Sequence, residues 1–347
     1  MPSYPYGLSV LLVYARKVIE VAQRTMSLNH DKPSHKPLPP FILDHAPLSH
    51  LWSQETWFPS DVSAHLTHVV PQVNFTNTSA AVTFGSISSF GEDVFLTSRD
   101  PVEDQPEWML SSENKPNQTT GRSKAPATII AVEKGAGILD AFYFYFYSFD
   151  KGNAPTILPN MSFSSHVGDW EHSMVRFINS TPTFLYLSAH SGGQAFNHSA
   201  TQKTFGRATT FIAGGTHANY ATPGDHLHGP FNILNDRTDS GALWDVTKNF
   251  RAFWFDKDTG VFSLAGGVGR GGFEEAQRCE GVGWLQFKGM WGDQRYPVPE
   301  HGQACLDVFG QDECTFDSGP TGPIMKNLGR IQVCQDETNC TVLDSLQ

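Results

Sequence analysis

His166-Val-Gly-Asp169-Trp170-Glu171-His172 brings two carboxylates and two imidazoles together within seven residues. Groups of these types ligate cations and move protons. If 167–178 is a strand, Asp169 and Glu171 project from one face, because side chains i and i+2 do. Two adjacent carboxylates repel unless a shared proton, a basic neighbour or a cation neutralises them. Function is therefore expected at this place.

The elements that must position these groups are also legible. Ala141-Phe-Tyr-Phe-Tyr-Phe-Tyr-Ser-Phe-Asp150 alternates Phe and Tyr with the period of a strand. Asn179-Ser-Thr-Pro182 is a turn signal between two strand-like runs. Antiparallel pairing about its middle sets residues whose numbers sum to about 361 opposite each other, which puts His190 across from Glu171. Asp169, Glu171 and His190 are then expected to converge as an acid–base set. His166 at the strand entrance and Asp150 at the end of the aromatic strand can join Asp169 and Glu171 around a divalent cation. Oxygen-rich ligation favours Mg2+, Ca2+ or Mn2+ over zinc.

Other residues carry two readings each. His172 lies on the opposite strand face, with Trp170 and Met174, and is either a core histidine or a binding residue. Asp150 opens Asp-Lys-Gly-Asn153, so a turn role competes with ligation. His217 and Tyr220, with His226 and His228, form a second polar cluster in Gly-rich loops, suited to a binding site or to a loop hydrogen-bond network. Ala265 to Gly272 is Gly-rich but lacks the strand–helix frame of a phosphate loop, so a flexible loop is expected.

The chain has 347 residues, 12% of them aromatic, and a net charge of −11. That charge argues against a nucleic-acid surface, which needs a basic patch. No apolar run reaches the ~18 residues of a transmembrane helix. With 31 Gly, 22 Pro and many short β-prone runs, the chain reads as turn-rich and mainly β. Strand signals fall at 127–133, 139–149, 169–178, 183–190, 208–213, 251–256 and 284–288. Helix signals fall at 9–25 and 60–67, with Ser60 as an N-cap. Residues 1–38 are expected to be a leading segment and linker, its apolar stretch serving as a signal or an amphipathic helix. Residues 39–347 are expected to form one large β domain whose final part, about 279–347, holds all the cysteines.

Seven Asn-x-Ser/Thr sites occur, at Asn74, Asn77, Asn117, Asn160, Asn179, Asn197 and Asn339. Chance would give about two, so the excess points to a secreted or vacuolar glycoprotein. Cys279, Cys305, Cys314, Cys334 and Cys340 cluster at one end, with spacings that match no zinc module. Local disulfides with one cysteine left over are expected.

From about Pro39 to Arg330 the chain resembles the fungal form of the vacuolar protein sorting-associated protein 62 family. The resemblance rests on Phe41-Ile-Leu-Asp-His-Ala-Pro47, Trp57-Phe-Pro-Ser-Asp61, the aromatic run, the His166–His172 motif, His190-Ser-Gly-Gly-Gln-Ala195, His217-Ala-Asn-Tyr220 and Gly319-Pro-Thr-Gly-Pro323. Over about 139–195 it is also distantly similar to the necrosis-inducing-protein-like cytolysins, whose fold is an antiparallel β-sandwich related to actinoporins. That similarity implies the same sandwich here, with long loops and few short helices. It also implies that His166, Asp169 and Glu171 are cation ligands, with Asp150 as a fourth. Val167-Gly168 replaces the Arg-His of the cytolysin heptapeptide, which leaves lipid-type recognition without its usual residues.

Three classes of function follow, the third being a non-catalytic sorting or structural glycoprotein whose acidic cluster serves only stability. In the first, a metal-binding sandwich of the secretory or vacuolar route binds a glycan, a lipid head group or another small molecule. In the second, the chain is an enzyme. A cyclase or isomerase of fungal secondary metabolism would use acid–base help and positioning in an aromatic pocket. A glycosidase would need its carboxyl pair about 5–5.5 Å apart for retaining chemistry, which i and i+2 neighbours approach only roughly.

Overall fold

The alternation of Phe and Tyr is the origin of the architecture. A computed structural model describes residues 35–78, 81–155, 161–229, 232–266, 280–308 and 310–346. Pro37–Gln347 form one compact unit. Its centre is an eight-stranded sheet made of β1 (Ala127–Gly135), β2 (Ile138–Asp150), β3 (His166–Ile178), β4 (Thr181–Ala189), β5 (Gly192–Asn197), β6 (Phe250–Asp256), β7 (Val261–Leu264) and β8 (Val342–Leu343). The order across the sheet is β7-β6-β1-β2-β3-β4-β5-β8. Neighbours from β1 to β5 are antiparallel. The β6–β1 and β8–β5 pairings are parallel.

The expected β-sandwich is present, and both faces of its central sheet are covered. Tyr143, Tyr145 and Tyr147 bury one face in a core with Leu51, Ala208, Ile212 and Trp244. Those partners come from a second sheet built on Leu48–Leu51, Arg207–Ile212 and Leu243–Asp245. Phe142, Phe144 and Phe146 bury the other face with Trp170, Met174, Leu96, Trp284 and Trp291. Each fully buried aromatic contributes about 1.5–3 kcal/mol of burial, so this one strand anchors both layers. The tyrosine hydroxyls need partners: Tyr143 donates to the Ile42 carbonyl at 2.6 Å, and Tyr145 shares a 2.7 Å bond with Ser173.

Three local expectations are corrected. The 284–288 run is a 3-10 turn, Gly283–Gln286, which swings Trp284 and Leu285 into the core without a strand partner. The helix signal at 60–67 becomes Val62–Thr67, capped by Asp61 rather than Ser60; the Asp61 carboxylate accepts the Ser63 N–H at 2.8 Å. The β3–β4 hairpin turns on Asn179 and Ser180 alone, both at positive φ. A bulge after Arg176 then sets the register at Ser173↔Leu187 and Met174↔Tyr186. Paired numbers sum to 360 there, so the register continued along β4 sets Ala189 and not His190 at the level of Glu171. A tight two-residue turn needs positive φ at both residues, and Asn supplies that readily.

Gly168 marks where β3 must pass another chain segment. Its φ is +69°, and a Cβ there would lie 2.2 Å from the Trp291 carbonyl oxygen. Gly168→Ala is expected to destabilise the protein by about 2–4 kcal/mol, adding left-handed strain to overpacking. The denaturant midpoint of the two proteins checks this; equal midpoints would refute it.

Asp293 ties the Phe95–Ser98 strand to the segment that follows Trp291. Its buried carboxylate accepts the Ser98 N–H at 2.5 Å and the Tyr296 hydroxyl at 2.7 Å. Burial pushes this carboxyl up from 3.8 to about 6, against those hydrogen bonds and the nearby His301. A carboxyl raised by folding favours the folded state when protonated. Its contribution is present below about pH 4 and is lost as pH rises through about 6. Asp293→Asn is expected to remove this loss, so stability measured from pH 4 to 7 should fall in the parent protein and run flatter in the variant.

Among the described residues, Cys305–Cys314 and Cys334–Cys340 form disulfides. This is the local pairing expected from the clustering, while Cys279 lies outside the described residues. So do Asn160, the 9–25 helix signal and most of the Gly-rich 265–272 run. Asn74, Asn77, Asn117, Asn179 and Asn339 are exposed; Asn197 is half-buried and its amide donates to Asp344. No helix among the described residues is long and apolar enough to cross a membrane.

Candidate functional site

Register brings the acidic motif under the tyrosines. Asp169 pairs with Tyr147 and Glu171 with Tyr145, so both carboxylates share the tyrosine face and are buried. Asp150, at the end of β2, is buried beside them. Burial first, then the charges of Asp169, Glu171, Asp236 and Glu55, push its carboxyl well above the usual range. Glu171 is pushed up to about 7 by burial and Asp169, and the Ser188 hydroxyl donates to it.

A loop from the second sheet supplies the imidazole. His217 holds a φ of +56° between Arg207–Ile212 and Asn219–Tyr220. Its ring stacks flat on Tyr147, with centroids 3.5 Å apart and planes at 4°. Nε2 lies 3.2 Å from the Trp57 carbonyl oxygen, an acceptor only, so Nε2 carries the proton. Nδ1 then faces Asp169 Oδ2 at 3.0 Å. Burial lowers the proton affinity of this ring, but Asp169 and Glu55 outweigh it and hold the imidazole above its ordinary value. Donor atoms of Asp150, Asp169 and His217 all lie within 4.8 Å of one another.

Glu55 closes the cluster from the loop after Leu48–Leu51. Its oxygens accept the Thr56 and Trp57 N–H groups at 2.8 Å and the Gly215 N–H at 3.1 Å. Burial still pushes its carboxyl up. Beside these groups the buried Tyr147 hydroxyl has no hydrogen-bond partner among the described residues. An orphaned buried hydroxyl among carboxylates calls for a water or ion next to it.

A second constellation centres on Asp236, which is fully buried in the Leu234–Thr238 strand. It accepts from His190 Nε2 at 2.7 Å, Tyr220 at 2.6 Å, Thr216 at 2.7 Å and Asn153 at 2.6 Å. The His228 ring stacks on His190, and the His226 ring on Tyr220.

The expected site residues thus divide. Asp150 and Asp169 converge with His217, while Glu171 lies alongside. His166 turns its Nδ1 to the Gly168 carbonyl at 2.7 Å, and burial lowers its proton affinity despite the Asp169 charge. His190 sits in the turn between β4 and β5 and bonds Asp236 instead of facing Glu171 across a strand pair. His172 is fully buried on the phenylalanine face, 3.3 Å from the Arg330 guanidinium, away from the acidic cluster. Tyr220 and His226 join the second constellation. Sequence reasoning missed Glu55 and Asp236. Each is a lone acid in a polar stretch, and the only local hint is Asp236's place in a short alternating strand.

Among solved structures, two matches have low similarity to this chain. "Necrosis and Ethylene inducing Protein 2 from the causal agent of cocoa's Witches Broom disease" is 15% identical, with a TM-score of 0.28 over 56% of this chain and 73% of that one. "NLPPya in complex with mannosamine" is 13% identical, with a TM-score of 0.29 over 64% and 76%. Sequence relatives are much nearer. The putative vacuolar protein sorting-associated protein TDA6 of Saccharomyces cerevisiae is 35% identical over 340 residues, 86% of this chain and 68% of that protein. Vacuolar protein sorting-associated protein 62 of the same yeast is 34% identical over 335 residues, with the same coverage. The family profile of vacuolar protein sorting-associated protein 62 matches residues 19–256, and by that match and these relatives the chain belongs to the vacuolar protein sorting-associated protein 62 family.

Proposed function

We propose that this protein is a divalent-cation-binding β-sandwich of the vacuolar or secretory route that uses the cation to hold a glycan, a lipid head group or another small molecule. The observation that carries this reading is the convergence of Asp150, Asp169 and the Nδ1 of His217 within 4.8 Å on the buried tyrosine face. Buried carboxylates this close need positive charge or protons. The Trp57 carbonyl fixes the His217 tautomer, so its Nδ1 is available to a metal, as acceptors behind ligating histidines do. The orphaned Tyr147 hydroxyl fits a bound ion or its water in the same place. Asp150, Asp169 and His217 would hold the cation, with Glu171 and Glu55 adding negative charge nearby. His166, which bonds its own strand's backbone, is the weaker ligand candidate. The cation would supply a charge on which sugar hydroxyl or phosphate oxygens can dock.

Secretory passage is supported by the names of the yeast relatives, by two disulfides and by the exposed acceptor sequons at Asn74, Asn77, Asn117, Asn179 and Asn339. Glycans at those asparagines are part of the proposal.

The test is binding of the purified chain to immobilised glycans and to anionic liposomes, in Mg2+, Ca2+ or Mn2+ and after chelation. Binding that needs one of these cations is expected. Binding that is equal after chelation would overturn the proposal.

A further inference from the structure

Asp236 is saturated. Its four lone-pair positions are matched by four donors: His190 and Tyr220 on Oδ2, Thr216 and Asn153 on Oδ1. Burial alone would raise this carboxyl, but the bonds from His190 and His228 hold it well below the usual range, so it is ionised. Saturation leaves no lone pair for a metal, although His190, His228 and Asp236 have donor atoms close enough to hold one. The Asn153 amide nitrogen donates to Asp236, and His228 Nε2 lies 3.2 Å from that nitrogen and 3.5 Å from Asp236 Oδ1. The His228 ring stacks on His190, with centroids 4.2 Å apart.

The consequence falls on His190. Nε2 carries the proton given to Asp236, and Nδ1 makes no hydrogen bond among the described residues. The side chain is 36% exposed and lines a pocket of about 400 Å³. Phe196, Leu227 and Leu343 give that pocket apolar walls, and Tyr220 and His226 give it polar ones. A pocket of this size and character suits a small organic ligand. The residue also holds a φ of +55° in a two-residue hairpin turn, where glycine would be unstrained. Strain of this kind, about 1–2 kcal/mol for a non-glycine residue, gathers at functional positions.

We propose that His190, positioned by Asp236, is a general acid–base group that moves a proton within a small organic ligand of mixed polar and apolar character held in this pocket. Nδ1 takes a proton from an acidic C–H, the bonding pair stays on the ligand, and the imidazolium returns the proton to a second atom of the same ligand. Proton and electrons balance without an oxidant or co-substrate, so the reaction class is isomerisation. The charges of Asp236, Glu171 and Asp169 act on His190, His228 stacks on its ring, and Tyr220 and His226 line the same pocket. Burial lowers the proton affinity of His190, and the acids among these groups raise it above the ordinary histidine value. The dyad uses no residue proposed to hold the cation.

The probe is 5-nitrobenzisoxazole, whose ring opens when a base removes its carbon-bound proton: the C–H pair forms a nitrile, the N–O bond breaks and its pair stays on the oxygen as a phenolate of the same molecule. The full chain, treated with chelator so that the cation reading is not being tested, is expected to accelerate ring opening with a single rising pH profile. His190→Gln keeps a donor for Asp236 in an exposed turn, and should fold while losing about 100-fold of the rate. Asp236→Asn should shift the profile midpoint to lower pH. Equal rates in the parent and His190→Gln would overturn the proposal, and an unmoved midpoint in Asp236→Asn would remove Asp236 as the positioning residue. Zn2+ that shifts the imidazole NMR signals of His190 and His228 together would overturn the dyad in favour of a metal site.

Discussion

Asp169→Asn should abolish stoichiometric divalent-cation binding. Elemental mass spectrometry of the parent protein, equilibrated with Mg2+, Ca2+ or Mn2+ and desalted, is expected to find about one ion per chain, and the variant only background. The effect should be large because Asp169 stands at the centre of the cluster. It pairs with Tyr147 in the sheet, contacts His217 Nδ1 and faces Asp150. Loss of an outer-shell partner usually weakens metal affinity about 10–100-fold, so loss of a ligand should exceed that. Thermal stability offers an independent reading. A cation at about 100 times its Kd stabilises the folded state by about 2.7 kcal/mol, and the variant should lose nearly all of that increment. Chelator-treated forms provide the baseline, which separates lost ligation from any change in packing. A full ion complement in the variant would exclude Asp169 as a ligand.

The second large effect is structural and lies at the far end of the same two strands. Asp140 on β2 and Arg176 on β3 form a buried bidentate pair, with N–O distances of 2.7 and 2.8 Å. Lys134 Nζ lies 3.5 Å from the same carboxylate. The guanidinium also donates to the carbonyls of Ile331 at 2.6 Å and Gln332 at 3.1 Å, which pins the C-terminal segment to the sheet. Arg330 adds to this by lying over the Phe142 and Tyr186 rings. Asp140→Asn removes the carboxylate charge of this contact while leaving the arginine buried. Breaking a buried pair from one side costs about 3–5 kcal/mol, because the remaining charge is uncompensated. Denaturant unfolding is expected to show that loss. Replacing both partners, Asp140→Leu with Arg176→Met, should cost less than the single change, since no charge is then stranded. A loss below about 1 kcal/mol for Asp140→Asn would show the pair to be dispensable. The same segment leads into β8, whose Leu343 walls the His190 pocket, so reduced ligand binding should accompany the loss.

Much of the fold can be read from one run of residues. Strict alternation of Phe and Tyr requires a strand with two apolar faces, and such a strand must lie between two packed layers. The period of two also places Asp169 and Glu171 on a common face, opposite Trp170, His172 and Met174. Clustering was enough for local disulfides though not for which cysteines pair, and ordered motifs were enough for the family. These features depend on residues a few positions apart, where backbone geometry alone sets the outcome.

Tertiary structure decided the membership of the site. The His166 of the motif bonds its own strand, while His217, 48 residues from Asp169, supplies the imidazole. Glu55 arrives from the loop after the Leu48–Leu51 strand, and Asp236 from a strand across the second cluster. No periodicity marks a lone acid in a loop, and only closure of long chain segments over the tyrosine face brings it in. The place of His190 turned on one residue of register, since the two-residue turn sets the nearest pairs at 359 and the bulge after Arg176 sets those beyond it at 360 rather than 361. Because successive side chains in a strand point to opposite faces, that single step separates a residue facing Glu171 from one mounted on Asp236.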